Sequence, residues 1–305
     1  MRRISLLFFV AVAALVASPQ DVTCVDKYQT SNNCYRLTKT VRAPRGLVVL
    51  LPLYGEDAKA FASVKLPQLL ASHDIATVAF SAAGYLFDED VDTLKSLLAE
   101  IARAQGIPPG KVMIGGISAG GTGAARFVER CQTQDCGPVK PLAWFSVDAP
   151  LDFEHFWNSQ TLNIQRGDPK SHLDESGAIL EALKASMGGS PKEARETYLR
   201  QSPFIAMEKG GGNAQLLAKI PVRLYTEPDV TWTIQNWGTD YYCSNAVDQA
   251  ALILQLRLLG NTQADLITTS GKGYRNGVRN PHSWSIVDEE DLAKWIVKQM
   301  EGGGK

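Results

Sequence analysis

Ser118 lies in the segment VMIGGISAGGTGAARF, with a glycine two residues before it and another two residues after it. An apolar run typical of a strand precedes the serine, and a segment typical of a helix follows it. A serine at such a sharp strand-to-helix turn exposes its hydroxyl at the edge of a sheet, and bulky neighbours are excluded because the chain nearly touches itself there. The N-terminal end of the following helix favours a developing negative charge on a substrate oxygen. The pattern predicts a nucleophilic Ser118.

The bare G-x-S-x-G pattern is weak in a chain with 26 glycines, and its position between a strand and a helix carries the prediction. A glycine-rich turn and a phosphate-binding loop are the two alternatives. The lysine of a P-loop does not follow, and a dinucleotide-binding loop would come directly after the first strand. The nucleophile is therefore the favoured interpretation.

A serine nucleophile needs a base, and the chain has four histidines, His73, His155, His172 and His282. Where the serine lies on a strand-to-helix turn of this kind, the three residues occur along the chain as serine, then acid, then histidine, so the base is expected after both Ser118 and the acid. His155 comes too early for that order, and His172 lies in a polar insertion. His282 lies in a loop, GYRNGVRNPHSW, between the last apolar strand and the last helix. His282 is the predicted base.

The acid that orients the histidine is expected after the fifth apolar strand, in VRLYTEPDVTW. Pro228 favours a turn that directs Asp229 inward, so Asp229 is the predicted acid. Glu227 and Asp240 are the alternatives.

An oxyanion hole requires two backbone N–H groups near the nucleophile. One is expected from Ala119, the residue after the serine. The other is expected from the loop after the first apolar strand, at Tyr54 or, as an alternative, at Leu53.

Aromatic residues are frequent around the predicted acid and base, where they are candidates for an apolar or sugar-stacking pocket. Trp232 and Trp284 are the tentative pocket residues, and ordinary core packing is the alternative for each. The further aromatic residues of this group are Trp237, Tyr241, Tyr242 and Tyr54.

Short apolar strands alternate with amphipathic helices along the chain, which predicts a mostly parallel sheet flanked by helices on both faces. The strands are expected at residues 46–52, 75–80, 111–116, 141–147, 220–226 and 264–270. Between the fourth and fifth of these lies a polar, helix-rich insertion at 152–219. It is either a cap over one end of the sheet or a pair of outer helices with long loops. The folded domain is expected over 19–300, with a flexible tail at 301–305.

The segments GISAGG, LYTEPD and NPHSWSIVDEEDLAKWI follow one another in an order that resembles the α/β-hydrolase superfamily, over residues 36–300. This resemblance implies the α/β-hydrolase fold. It also implies a hydrolase of esters, amides or peptides that uses a serine, a histidine and an acid.

The first residues have the pattern of a secretory signal peptide, expected over 1–18. Arg2 and Arg3 precede an apolar run at 4–17, and small residues follow. A membrane anchor is the alternative, but the run is short for a span of about 20 residues. A secreted or periplasmic protein, without stable membrane insertion after cleavage, is the expectation.

Five cysteines are present, and an exported chain permits disulfides. Cys24 with Cys34, and Cys131 with Cys136, are close enough in sequence to form short loops, which leaves Cys243 unpaired. The scattered histidines give no zinc pattern, so no metal and no cofactor are expected.

The net charge of −1 and the lack of a basic stripe argue against nucleic acid as a partner. The sequence predicts a secreted serine hydrolase, most readily a carboxylic ester hydrolase that forms an acyl-enzyme on Ser118 and takes a small ester or acyl substrate. A peptidase or amidase on the same fold is the first alternative. A hydrolase-fold protein that binds a ligand without catalysis is the second.

Overall fold

The computed structural model describes residues 22–25, 34–81, 85–167 and 170–302. The expected signal peptide at 1–18 lies outside these residues, as do positions 303–305 of the expected tail. Glu301 and Gly302 belong to the last helix, which runs slightly further than the sequence pattern predicts.

The strands of the described residues are β1 (Thr23–Cys24), β2 (Cys34–Thr38), β3 (Gly46–Leu51), β4 (Ile75–Phe80), β5 (Val112–Ile117), β6 (Pro141–Val147), β7 (Val222–Thr226), β8 (Ala264–Thr268), β9 (Tyr274–Arg275) and β10 (Val278–Arg279). Eight of them form one sheet in the order β1-β2-β4-β3-β5-β6-β7-β8, and β9 and β10 form a separate hairpin. The strands from β3 to β8 pair in parallel, whereas β1 and β2 are antiparallel. The predicted mostly parallel sheet is confirmed.

The central strands are apolar along their whole length because helices cover both faces of the sheet. Every residue of β3, β4 and β5 is buried. The helices are α1 (Leu66–Ala71), α2 (Asp88–Gln105), α3 (Ala119–Thr133), α4 (Phe153–Arg166), α5 (Lys170–Met187), α6 (Arg195–Gln201), α7 (Ala214–Leu217), α8 (Val230–Trp237), α9 (Asn245–Leu258) and α10 (Glu289–Gly302).

The two faces of the sheet carry separate apolar clusters. One cluster joins the sheet to α2, α3, α7 and α9, and the other joins it to α1 and α10. Helix ends follow the sequence signals: α2 begins with three acidic residues and ends at Gly106, whose φ of 68° is accessible to glycine without strain.

Strand register brings the carboxyl ends of three neighbouring strands to one edge of the sheet. Ile117, the last residue of β5, is opposite Val147, the last of β6, and Val147 is opposite Tyr225 in β7. The loops after β5, β6 and β7 therefore begin side by side. Ligands bind outside the carboxyl ends of the strands in sheets of this kind.

The insertion at 152–219 contains α4 to α7, in agreement with its predicted helical character. Helices α4 and α5 are packed against each other, and their register is fixed by hydrogen bonds from Ser176 to Gln160 and between Asn163 and His172. Helix α7 instead joins the main core through Ala214, against α3 and α9.

Two disulfides are present among the described residues, and they are the two that the sequence predicts. The Cys24–Cys34 bond joins β1 to β2, and the Cys131–Cys136 bond closes the turn after α3. Cys243 is a free thiol. Among the described residues no helix is long and apolar enough to cross a membrane.

Candidate active site

Ser118 occupies the turn between β5 and α3 with backbone angles of φ 55° and ψ −126°. A positive φ is unusual for a residue other than glycine, and such strain is concentrated at functional sites. Hydrogen bonds hold the turn in place: the Ser118 N–H donates to the Val147 carbonyl at 2.8 Å, and the N–H groups of Gly121 and Thr122 donate to the Ser118 carbonyl. The predicted sharp turn is present at the predicted serine.

The flanking glycines are required by close backbone contacts. A Cβ atom at Gly116 would lie 2.4 Å from the Leu51 carbonyl oxygen, and one at Gly120 would lie 2.1 Å from the same oxygen. Both contacts are with main-chain atoms of β3, which have no freedom to move aside. Any side chain at either position would displace the turn that carries Ser118.

Two more glycines allow α3 to pack closely, Gly121 against the sheet and Gly123 against the segment before α2. A Cβ at Gly121 would lie 2.3 Å from Ser146 Oγ of β6, and one at Gly123 would lie 2.9 Å from Leu86 Cγ. The N-terminus of α3 therefore lies directly at the edge where β5 and β6 end.

His282 lies in the loop between β10 and α10, and its Nδ1 is 2.6 Å from Oδ2 of Asp148. The His282 N–H also donates to Asn280 Oδ1 at 2.9 Å. Because an ionised carboxylate only accepts hydrogen bonds, Nδ1 carries the proton and Nε2 is left as the basic nitrogen.

Asp148 directly follows β6, with a φ of 45°. Thr226 donates to its second carboxylate oxygen at 3.2 Å, its N–H donates to Tyr225, and the Asn245 side chain donates to its carbonyl. The carboxylate beside His282 is thus Asp148. The structure does not place Asp229, the acid expected from the sequence, beside His282, because the carboxylate that reaches the imidazole follows β6 and not β7.

Asp229 has two other partners. Its carboxylate caps α8 by accepting from the Trp232 N–H at 3.1 Å, and it forms an ion pair with Arg279 at 2.7 Å. The cap and the Arg279 guanidinium together lower the pKa of Asp229. The alternative Asp240 is also engaged elsewhere, in an ion pair with Arg166.

Glu227, the other alternative acid, holds the loop that leads to His282. Its carboxylate accepts hydrogen bonds from Thr269 and from the N–H groups of Lys272 and Gly273, all at 2.7 to 3.1 Å. It also pairs with Arg279 at 2.6 Å. Burial alone would raise the pKa of Glu227, but these donors outweigh it and lower the pKa.

The pKa of His282 reflects two opposed effects. Burial disfavours the imidazolium and lowers the pKa, whereas the hydrogen bond and the charge of Asp148 raise it. The second effect is the larger, so the pKa lies above the ordinary value of 6.5.

Ser118, Asp148 and His282 line one cavity of about 370 Å³ at the carboxyl edge of the sheet. Helices α4, α5 and α8 contribute the opposite wall. Among the described residues, Ser118 Oγ and the His282 ring share this cavity without a direct hydrogen bond. Catalytic hydrogen bonds are often long in free enzymes and tighten when substrate binds.

The predicted oxyanion donors border the same cavity. Ala119 is the first residue of α3, so its N–H has no partner within the helix. Leu53 and Tyr54 both line the cavity, and the Tyr54 ring stacks on Tyr85 with a centroid distance of 6.3 Å.

The tentative pocket tryptophans have different surroundings from those predicted. Trp284 packs edge-on against Phe61 and Phe145 in the core on the α1 and α10 face, so core packing is the correct interpretation. Trp232 lies outside the cavity and packs edge-on against Trp237, with 4.9 Å between the ring centroids. Trp237 itself lines the cavity. Proximity in sequence to the predicted acid and base was the only signal, and it did not specify which side chains are directed into the cavity.

A second aspartate–histidine pair lies outside the cavity lining. His155 Nδ1 of α4 is 2.5 Å from Asp248 Oδ1 of α9, and Ser159 lies one turn further along α4. Asp248 also accepts from the Leu151 and Asp152 N–H groups. This pair joins the start of α4 to α9.

Among the residues that the structure describes, no group of three or more histidine, cysteine or acidic side chains is arranged to hold a metal ion.

The sequence matches no protein-family model and no curated protein. The structure is similar to solved structures at low sequence identity. These include MPT51 of Mycobacterium tuberculosis (16% identity, 88% of this chain and 93% of that chain, TM-score 0.58). A thermophilic carboxylesterase, EstE1, cloned from a metagenomic library, is 15% identical over 88% of this chain and 84% of that chain, with a TM-score of 0.53.

An acylaminoacyl peptidase from Pyrococcus horikoshii is 16% identical over 88% of this chain, with a TM-score of 0.52. This chain corresponds to 38% of that peptidase chain. With the strand order and the turn at Ser118, these similarities identify the fold: the chain has the α/β-hydrolase fold.

Proposed function

We propose that the chain is a serine hydrolase that cleaves carboxylic esters through an acyl-enzyme on Ser118. The observation that carries the proposal is one shared cavity. This cavity is lined by Ser118, on a strained strand-to-helix turn, and by His282, whose Nδ1 is hydrogen-bonded to the Asp148 carboxylate. These are the parts that nucleophilic catalysis by a serine requires.

In the proposed reaction, Ser118 Oγ attacks the ester carbonyl carbon while His282 Nε2 accepts the hydroxyl proton. Asp148 holds the imidazole in the required tautomer and stabilises its charged form. The N–H groups of Ala119 and of Tyr54 or Leu53 stabilise the oxyanion. His282 then gives its proton to the departing alcohol as the carbon–oxygen bond breaks.

Water completes the proposed cycle. His282 accepts a proton from the water that attacks the acyl-enzyme, and Ser118 recovers its proton from His282 as the acid departs. In this scheme Asp148 takes the role that the sequence pattern suggested for Asp229. The residues of this scheme need neither a metal ion nor an organic cofactor.

Ester cleavage is favoured over amide cleavage. An amine is a poor leaving group that must be protonated as it departs, which places a further demand on the site. The carboxylesterase neighbour is matched over most of its length, whereas the peptidase neighbour is matched over a minor part. A peptidase or amidase is the alternative, to be separated by a panel of short acyl esters and aminoacyl amides.

Export is part of the proposal. The signal-like residues 1–18 indicate secretion or transport to the periplasm, and the two disulfides are stable in an oxidising compartment. Secretion of the full-length chain with loss of the leader, measured by mass spectrometry of the medium, tests this step.

The first experiment on function exposes the purified chain to a fluorophosphonate probe and maps the labelled residue by mass spectrometry. We expect label on Ser118 and strongly reduced labelling in His282→Ala. Ser159→Ala is the matched control, since Ser159 also lies beside a histidine, and it should label as the wild type does. Labelling of another serine would place the nucleophile elsewhere, and no labelling together with no ester turnover would favour a ligand-binding protein that lacks catalysis.

A further inference from the structure

The wall of the cavity opposite Ser118 is formed by α4 and α5, which run antiparallel. Asn163 near the end of α4 contacts His172 near the start of α5 at 3.2 Å, and Gln160 accepts from Ser176 one turn away at 2.8 Å. The same register brings Phe156 of α4 near the second half of α5. Residues spaced along this pair therefore lie in order along the cavity.

One end of this wall is apolar. Phe156 of α4 and Ile179 and Ala182 of α5 line the cavity. Phe156 and Ile179 belong to one apolar cluster with Tyr85 and with Ala119, the residue after the nucleophile. The apolar end is thus continuous with the N-terminus of α3, where Ser118 is held.

The other end of the wall is polar. Asn163 is only 3% exposed, and its Oδ1 has no hydrogen-bond partner among the described residues. His172 stacks flat on Trp237 at 5.5 Å, and Glu175 lies 3.6 Å from the His172 Nδ1 atom. The nearby His172 ring lowers the pKa of Glu175, so its carboxylate is charged. A buried acceptor without a partner is costly, which favours a ligand that supplies a donor.

The proposed catalytic groups determine which part of the substrate lies at each end of the cavity. The acyl carbon bonds to Ser118, and its oxygen is directed to the Ala119 N–H, at the apolar end. The departing alcohol receives its proton from His282. The His282 ring lies 6.5 Å from the Trp237 ring, which stacks on His172 at the polar end.

We propose that the substrate is an ester of an apolar acyl group with an alcohol that carries further hydroxyl groups. The acyl chain lies against Phe156, Ile179 and Ala182. The alcohol lies against Asn163, His172 and Trp237. This inference rests on the proposed function. The cavity of about 370 Å³ is at the small end of ligand sites, which span about 300–1,000 Å³. Short and medium acyl chains are therefore the ones that it accommodates.

The acyl side is tested with p-nitrophenyl esters from acetyl to decanoyl, because the leaving group stays constant through the series. Ala182→Leu fills the apolar end, and we expect it to lower the decanoyl-to-acetyl ratio of kcat/KM by about tenfold or more. Ala185→Leu is the matched control: it makes the same change on the same helix at an exposed position outside the cavity lining. An unchanged chain-length profile in Ala182→Leu would overturn the acyl assignment.

The alcohol side is tested with glyceryl butyrate and ethyl butyrate, which share an acyl group. His172→Phe keeps a ring to stack on Trp237 but removes the hydrogen-bonding nitrogens. We expect the glyceryl-to-ethyl ratio of kcat/KM to fall about five- to tenfold, as for loss of one buried hydrogen bond. Circular dichroism and unfolding in urea establish that each variant folds.

The outcomes separate this inference from the proposed function. A wild-type chain that neither labels with fluorophosphonate nor hydrolyses any ester removes the proposed function itself. A wild-type esterase in which Ala182→Leu changes the choice of alcohol and His172→Phe changes the acyl profile would reverse the orientation. An esterase with neither effect would overturn the inference and leave the function intact.

Discussion

The described part of the molecule contains two aspartate–histidine pairs, and each has a serine nearby. In one, Asp148 follows β6, His282 follows β10, and both line the cavity with Ser118. In the other, Asp248 and His155 join α9 to α4, beside Ser159. The two aspartate–histidine distances are nearly equal, at 2.6 and 2.5 Å. The pair alone therefore does not identify a catalytic site.

The serines make the difference. Ser118 lies on a strained turn at a helix N-terminus, whereas Ser159 lies within α4, is 1% exposed, and donates its hydroxyl proton to the His155 carbonyl at 2.8 Å. A hydroxyl bonded to the preceding turn of its own helix is already satisfied. Under the proposed function, the backbone that presents the serine, more than the residue types, distinguishes the reactive group around Ser118 from the pair that joins α4 to α9.

The largest expected effect separates the two serines. Ser118→Ala should lower kcat by on the order of 10⁶-fold, the loss expected when a serine nucleophile is removed. Ser159→Ala should leave kcat/KM within about twofold, since it loses only a bond within its own helix. Steady-state hydrolysis of p-nitrophenyl butyrate measures both. Comparable losses in the two variants would mean that both constellations take part in turnover.

The next effect separates the acids. Asp148→Asn should lower kcat by about 10⁴-fold, because an amide beside Nδ1 favours the wrong tautomer of His282. Asp229→Asn is the control; it keeps the α8 cap and weakens the bond to Arg279, so activity should fall by about tenfold at most. If the two results were exchanged, the acid predicted from the sequence would be reinstated and the assignment of Asp148 withdrawn.

A smaller effect concerns the structural pair. Asp248→Asn removes the charge that holds His155 and should lower the free energy of unfolding by about 2 kcal/mol, measured in urea. Asp240→Asn, at a more exposed ion pair with Arg166, should lower it by less than about 1 kcal/mol. Equal and negligible changes in the two variants would show that the His155 pair does not hold α4 to α9.

Much of this arrangement was predictable because it is local in sequence. The strand, the glycines and the helix around Ser118 are contiguous, and the backbone contacts at Gly116 and Gly120 follow from that segment alone. The apolar strands were equally clear, since burial on both faces leaves continuous apolar runs. The two disulfides were predictable for the same reason, since each joins cysteines that are close in sequence.

The acid was not predictable in this way because it depends on how strands line up across the sheet. Asp148 and Asp229 both follow an apolar strand, and only strand order and register decide which carboxylate meets the histidine loop. Arg279 forms ion pairs with Glu227 and Asp229, so both of these carboxylates have partners other than His282. A signal existed in the sequence: Asp148 directly follows the strand PLAWFSV.

The smallest and most diagnostic effect is in pH dependence. Asp148 raises the pKa of His282 above its ordinary value, so the folded chain binds that proton more tightly than the unfolded chain. The resulting stabilisation is complete below the ordinary pKa and is lost as pH rises through the folded pKa. Catalysis requires the neutral imidazole, so kcat/KM should rise over the same range, with a midpoint above 6.5. Activity and stability should therefore change in opposite directions.

The two histidines can be separated in this experiment, because the pKa of His155 is also raised: burial lowers it, but Asp248 outweighs that effect. His155→Gln should flatten part of the pH dependence of unfolding in urea and leave the midpoint of the kcat/KM profile unchanged. His282→Gln should flatten the other part and abolish activity at every pH. A shifted activity midpoint in His155→Gln would mean that the structural pair is coupled to the catalytic one. That result would remove the distinction between the two aspartate–histidine pairs, because the Asp248–His155 contact on α4 would then influence the cavity that α4 lines.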